Sequence, residues 1–123
     1  MVSRWCLLSL VVIGSAQAAD HAVALELYRE RRYAEAQQRF EAAVAEHDQD
    51  PVAHHHLGKL AQLRQDLPMA ITHLEKALAL APDNAAINFD YGAVCSLHAD
   101  TLGMSFRAAH YARRGRVALE RAV

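Results

Sequence analysis

The feature that most constrains the fold of this chain is a repeat, because the same pattern of small and large residues recurs every 34 residues. The recurring positions pair along the chain as Ala36 with Ala70, Phe40 with Leu74, Ala43 with Ala77, Leu57 with Tyr91 and Gly58 with Gly92. A period of this length is typical of stacked helix pairs, each of which buries its apolar face mainly against its neighbours. Since no segment shows the alternation of a strand, the repeat predicts an all-α fold.

The middle unit, residues 51–84, predicts two helices that cross closely. Ala70 and Leu74 are four residues apart and therefore lie on one face of the second helix. Gly58 stands on the first helix, where a glycine costs about 0.5–1 kcal/mol relative to alanine. We interpret this glycine as a sign that a neighbouring helix passes too close for a side chain, and Ala70 is the expected partner in the crossing.

Acidic residues followed by prolines predict where helices begin. Asp50 precedes Pro51, and Asp66 stands two residues before Pro68. An aspartate side chain can cap the free N–H groups of a first turn, and a proline is tolerated there because its missing N–H is not needed. We therefore expect helices to start after Asp50 and after Asp66.

These residues resemble the tetratricopeptide repeat family. The family has a small residue on the first helix and then an alanine, a large apolar residue and another alanine on the second, a pattern met by Gly58, Ala70, Leu74 and Ala77. The first unit matches through Val23, Ala24, Leu27, Tyr33, Ala36, Phe40 and Ala43. The resemblance covers nearly all of residues 20–123 and implies a right-handed α-solenoid of about three antiparallel helix pairs. Members of the family usually bind peptides or partner proteins on their concave face.

The third unit, residues 85–123, departs from the repeat. It begins in phase at Gly92, but the small–large–small signature next appears at Gly115, Leu119 and Ala122. Relative to the 34-residue period, this spacing places about eleven extra residues inside the unit. The third pair is therefore predicted to be extended by an insertion.

A second alignment of the third unit remains open. It uses Ala108, Ala112 and Gly115, and needs an insertion of four residues. We prefer the longer insertion because Leu119 supplies the large apolar residue that Ala112 does not. On that alignment, Leu97 to Met104 is expected to form a bent extension or a short extra helix.

The N-terminus predicts a bacterial-type secretory signal peptide over residues 1–18. Arg4 is followed by an apolar run and then by an Ala-Gln-Ala sequence, as cleavage sites require. The uncharged stretch from Trp5 to Ala19 has 15 residues, fewer than the roughly 20 that span a bilayer, and an uncleaved anchor is the alternative. Cleavage would leave a periplasmic or secreted repeat domain, residues 19–123, with units of about 19–50, 51–84 and 85–123.

Charge is distributed unevenly along the chain. Residues 19–102 carry 7 Lys/Arg against 13 Asp/Glu, whereas residues 103–123 carry 5 Arg against one Glu. Arg107, Arg114 and Arg121 are seven residues apart and share one stripe of a helix, which makes them a second candidate interface. The stripe fits either a solvated helix face or an interface with an acidic partner, an anionic lipid or a second copy of the chain. Nucleic acid is not an expected partner of a protein that is exported.

The family resemblance also implies which side chains line the concave face. They are His21, Tyr28, His55, Lys59, Gln62 and Phe89. Aromatic rings and imidazoles beside a lysine suit an extended peptide with a ring or a carboxylate, although an unoccupied groove wall would look the same. The predicted function is a noncatalytic adaptor or scaffold that holds a peptide or protein partner. The alternatives are a self-associating structural subunit that uses its basic C-terminal helix, or weak metal binding by histidines.

Neither a metal site nor an enzyme active site is expected from the motifs. Side chains of consecutive helical residues, such as His54, His55 and His56, diverge by about 100° each and cannot converge on one ion. No two of the eight histidines have the three- or four-residue spacing that chelation within a helix needs. Cys95 and His98 have such a spacing, but Cys95 is predicted to face the interior, and no cofactor-binding or catalytic motif is present.

Overall fold

The computed structural model describes residues 21–123, and these residues are helical apart from short connections. Helix α1 covers 21–29, and the helices that follow are α2 (Tyr33–Glu46), α3 (Pro51–Leu63), α4 (Leu67–Leu80), α5 (Ala85–Thr101) and α6 (Phe106–Ala122). No strand occurs in residues 21–123, so the all-α prediction is confirmed. The predicted signal peptide lies outside the described residues. None of the helices described is long and apolar enough to span a membrane.

The predicted helix starts are confirmed by side-chain caps. The Asp50 carboxylate accepts a hydrogen bond from the backbone N–H of Ala53 at 3.1 Å, and Asp66 accepts one from Met69 at 3.2 Å. Two further caps follow the same geometry, since Asn84 caps α5 and Ser105 caps α6. Each such cap is worth about 1 kcal/mol, because it satisfies an N–H that has no partner within the helix.

The repeat extends to the turns that end the first helix of each pair. The residues with positive φ in these turns are Arg31 at 62°, Gln65 at 60° and Gly103 at 62°. In the first two turns the next N–H donates back to a carbonyl five residues earlier, from Arg32 to Leu27 and from Asp66 to Ala61. A left-handed residue of this kind closes a helix and reverses the chain, so successive helices run antiparallel.

The chain divides into two compact units, one ending at Asp48 and one comprising residues 49–123. In the first unit, Ala24, Ala36 and Phe40 are almost completely buried. In the second unit, α4 packs against α3 and α5, and α5 also packs against α6. The core of the second unit is a cluster of buried residues that comprises Ala61, Ala70, Ile71, Leu74, Tyr91, Val94, Cys95 and Ala118.

The third helix pair repeats the crossing of the middle pair. A Cβ on Gly58 would lie 2.7 Å from Leu74 Cγ, and a Cβ on Gly92 would lie 2.6 Å from Leu119 Cγ. Gly115 is therefore equivalent to Ala70, and its carbonyl oxygen would lie 2.9 Å from the Cβ added to Gly92. The alignment with the longer insertion is confirmed, and the third pair is extended.

The extra residues do not form the bend or short helix expected between Leu97 and Met104. Helix α5 runs to Thr101 without interruption, with nine residues after Gly92 where α3 has five after Gly58. Helix α6 has nine residues before Gly115 where α4 has three before the equivalent alanine. The insertion is divided between two antiparallel helices, so α5 is lengthened at its C-terminal end and α6 at its N-terminal end. These two ends lie side by side, and the helices remain packed along the added residues.

Candidate functional site

The three consecutive histidines of α3 point into three different environments, as helical geometry predicts. His54 is 1% exposed, and its Nδ1 lies 3.3 Å from Nδ1 of His73 on α4. His55 points to Asp90 on α5, and His56 bonds to a carbonyl one turn earlier in its own helix. Within residues 21–123, no three His, Cys, Asp or Glu side chains lie where they could hold a metal ion.

The contact between His55 and Asp90 joins α3 to α5. His55 Nε2 lies 2.5 Å from Asp90 Oδ2, and the two side chains are only 13% and 22% exposed. A carboxylate that accepts a hydrogen bond from the imidazole fixes the orientation of the ring. Sequence reasoning missed Asp90. The available signal was its spacing of 35 residues from His55, which is one 34-residue repeat plus one residue.

Lys59 and Gln62 share the face of α3 that carries His55, because they follow it by four and seven residues. Both side chains are half-buried. Phe89 on α5 stands 34 residues after His55, at the equivalent position of the next helix pair, and is 57% exposed. We call His55, Lys59, Gln62 and Phe89 the α3–α5 face. It offers an exposed apolar ring together with hydrogen-bond donors and acceptors, which a peptide segment can use.

The other two predicted partner-binding residues, His21 and Tyr28, lie on α1 in the first unit. Both are half-buried. The ring of Tyr28 packs edge-on against Tyr33 of α2, with ring centroids 5.5 Å apart. Tyr28 therefore contributes to packing within its own unit, and partner binding by these two residues remains a prediction.

The arginine stripe of α6 is not uniform. Arg114 donates to Glu75 of α4 at 3.0 Å, and the Tyr91 hydroxyl donates to the same carboxylate oxygen at 3.2 Å. Arg114 and Arg121 line a cleft between α4 and α6, whereas Arg107 is exposed and does not line it. Arg113 also lines that cleft, although it is not part of the stripe of arginines spaced seven residues apart.

Cys95 is completely buried, as predicted. Burial raises the pKa of its thiol, and this effect exceeds the opposing effect of a hydrogen bond with Tyr91. A thiol with a raised pKa is a poor nucleophile at neutral pH. His98 packs its ring edge-on against Tyr111, with centroids 4.8 Å apart. The arrangement therefore gives no activated nucleophile of the kind considered for Cys95 and His98.

His56 predicts a loss of stability in mild acid. Burial lowers the pKa of His56 below its usual 6.5, and the bond from its ring to the Val52 carbonyl, 2.9 Å long, only partly offsets this. The unfolded chain therefore takes up more protons than the folded chain as the pH falls below about 6.5, and the free energy of unfolding decreases. The fall in Tm between pH 7.5 and pH 5.0 should be larger for the wild type than for His56→Gln, as measured by circular dichroism. Equal falls in the two proteins would contradict this assignment.

Comparison with known proteins places the middle helix pair in a recognised repeat. Residues 51–84, which contain α3 and α4, match the family model described as tetratricopeptide repeat. No curated protein matches the sequence. Among solved structures, the chain is similar to the type III secretion translocator chaperone SycD of Yersinia enterocolitica, in a structure described as an alternative dimer. The TM-score is 0.58 with 15% identity, covering 86% of this chain and 90% of that chain. At this identity the likeness shows the fold, and it confirms an all-helical array of helix pairs.

Proposed function

We propose that the chain is a noncatalytic adaptor that binds a peptide or a segment of a partner protein on the α3–α5 face. The observation that carries the proposal is the exposed side chain of Phe89, at the position equivalent to His55, whose imidazole Asp90 holds in place. Residues 51–84, which contain α3, match the tetratricopeptide repeat. Aromatic side chains are enriched at protein interfaces, where a few residues carry most of the binding energy. We also propose that the protein is exported and loses residues 1–18.

Several features support a binding role over a purely structural one. Burial of the exposed Phe89 ring against a partner would remove apolar surface from water and so favour binding. Lys59 adds a cation on the same face as His55, so a segment with a carboxylate would gain both an apolar contact and an ion pair. The structural similarity to a translocator chaperone is consistent with an interaction role, because that protein shares the fold.

The test compares two double variants that lose the same residue types. Lys59→Ala with Phe89→Ala alters the α3–α5 face, whereas Lys76→Ala with Phe106→Ala removes an exposed lysine and an exposed phenylalanine elsewhere. Each protein is used for affinity capture from the periplasmic fraction of the source cells. The captured proteins are then purified, and their dissociation constants are measured. We expect the first variant to weaken binding by at least about tenfold, as loss of an anchor residue does, and the control to bind like wild type.

Two results would contradict the proposal. The first is equal binding by both double variants, which would show that the α3–α5 face is not used. The second is capture of nothing beyond the protein itself, which would favour a self-associating subunit. An intact-mass measurement of the protein from the same fraction checks export, because loss of residues 1–18 leaves a chain that begins at Ala19.

A further inference from the structure

The cleft between α4 and α6 in the second unit shares no lining residue with the α3–α5 face. Its volume is about 450 Å³, within the range of about 300–1,000 Å³ of ligand-binding pockets. Apolar groups from both helices line it, and the start of α5 contributes Asn88 and Tyr91. Three arginines of α6 also line it, and one glutamate of α4. The lining residues include Glu75 and Leu78 of α4, and Arg113, Arg114, Val117 and Arg121 of α6.

The single carboxylate of the cleft is already engaged. Glu75 accepts hydrogen bonds from Arg114 at 3.0 Å and from the Tyr91 hydroxyl at 3.2 Å. The Glu75 and Arg114 side chains are 41% and 48% exposed, so this pair sits at the edge of the cleft and neutralises one arginine. No carboxylate within residues 21–123 lies close enough to form an ion pair with Arg113 or Arg121. The cleft therefore keeps two uncompensated positive charges.

These two charges flank an apolar position. Arg113, Val117 and Arg121 follow each other at intervals of four residues, which places them along one side of α6. Val117 is 41% exposed. The first and last Cα atoms of this series are about 12 Å apart along the axis, at a rise of 1.5 Å per residue. The cleft thus presents a cation, an apolar surface and a second cation in a line.

We propose that this cleft binds an extended acidic segment of a partner protein, in which an apolar side chain lies between two carboxylates. The carboxylates would pair with Arg113 and Arg121, and the apolar side chain would contact Val117 and Leu78. The separation of about 12 Å between the two arginine Cα atoms suits a peptide that carries two carboxylates. At about 3.3 Å per residue, an extended chain spans that distance in about four residues. Side chains alternate along an extended chain, so acidic, apolar and acidic residues at every second position share one face.

The charge balance of the chain supports an acidic ligand. Residues 103–123 hold five arginines and one glutamate, whereas the preceding residues from 19 to 102 carry an excess of acidic groups. Guanidinium groups form paired hydrogen bonds with carboxylates, and these bonds are stronger beside an apolar surface than in bulk water. Binding should therefore weaken as salt screens the two arginines. The site is separate from the α3–α5 face, so it does not rest on the function proposed above.

The test uses a defined peptide and the full chain. The probe is fluorescein-labelled Glu-Ser-Leu-Ser-Glu, amidated at its C-terminus, and binding is followed by fluorescence anisotropy at low and high salt. We expect saturable binding that Arg113→Gln with Arg121→Gln weakens at least tenfold. The control pair, Arg107→Gln with Arg116→Gln, removes the same charge outside the cleft and should change the dissociation constant less than twofold. Circular dichroism and thermal melting verify that both variants fold.

Two control peptides separate charge from apolar contact. Gln-Ser-Leu-Ser-Gln lacks the carboxylates, and Glu-Ser-Ser-Ser-Glu lacks the apolar side chain. Each should bind at least tenfold more weakly than the probe. The proposal is overturned if the probe does not bind the wild type at millimolar concentration, or if either control peptide binds as well. It is also overturned if the two arginine pairs have equal effects, which would indicate a diffuse electrostatic attraction.

Discussion

Gly92→Ala is expected to reduce the free energy of unfolding by about 2 kcal/mol, because the third helix pair has no room for one more methyl group. The added Cβ would lie 2.6 Å from Leu119 Cγ and 2.9 Å from the Gly115 carbonyl oxygen. Relief would require the α6 backbone to move. The better helix propensity of alanine returns about 0.5–1 kcal/mol, which does not compensate for the overlap.

Gly58→Ala is the matched control for that overlap. Its nearest backbone atom, the Ala70 carbonyl oxygen, would lie 3.3 Å from the new Cβ, and its closer contacts are with the Leu74 side chain. A side chain can adjust more easily than a backbone, so we expect Gly58→Ala to be less destabilising than Gly92→Ala. Urea denaturation of both variants measures the difference. The close crossing of α5 and α6 would be contradicted if Gly92→Ala were as stable as the wild type.

The 34-residue repeat made the helix pairs predictable because it records local requirements of every unit. A small residue where two helices cross closely and a capping residue before a first turn are local requirements, so they are visible in the sequence. Gly58, Asp50 and Asp66 behave as predicted for this reason. The alignment of Gly115 with Ala70 was also predictable, since both meet the glycine of the facing helix.

The path of the third pair and the contacts between its helices were less predictable. The turn that divides the insertion is marked by Gly103, with φ of 62°, and by Ser105, which caps α6. A glycine followed by a capping serine is a signal of a helix boundary. It could have predicted this turn in place of the bend expected between Leu97 and Met104. The His55–Asp90 contact and the cleft that Arg113 and Arg121 line depend on how neighbouring helices are placed, and the repeat of small residues does not report this.

Leu74→Ala is expected to have the largest effect on stability, a loss of about 3–4 kcal/mol in the free energy of unfolding. Leu74 is completely buried in the core of the second unit. Truncation removes its buried apolar surface and leaves a cavity beside Gly58. Urea denaturation followed by circular dichroism measures the loss. The control is Leu80→Ala on the same helix, where the side chain is 38% exposed and the loss should be much smaller.

The same cavity should reverse the sign of the Gly58→Ala substitution. In the wild type, the new Cβ would lie 2.7 Å from Leu74 Cγ and 3.0 Å from Leu74 Cδ2, so the substitution destabilises. Both atoms are absent in Leu74→Ala, and the nearest of the remaining contacts in that set is the Ala70 oxygen at 3.3 Å. Alanine at position 58 then adds about 0.5–1 kcal/mol through helix propensity and fills part of the cavity. A double-mutant cycle measures this coupling. If Gly58→Ala has the same sign in both backgrounds, Leu74 is not what requires a glycine at this position.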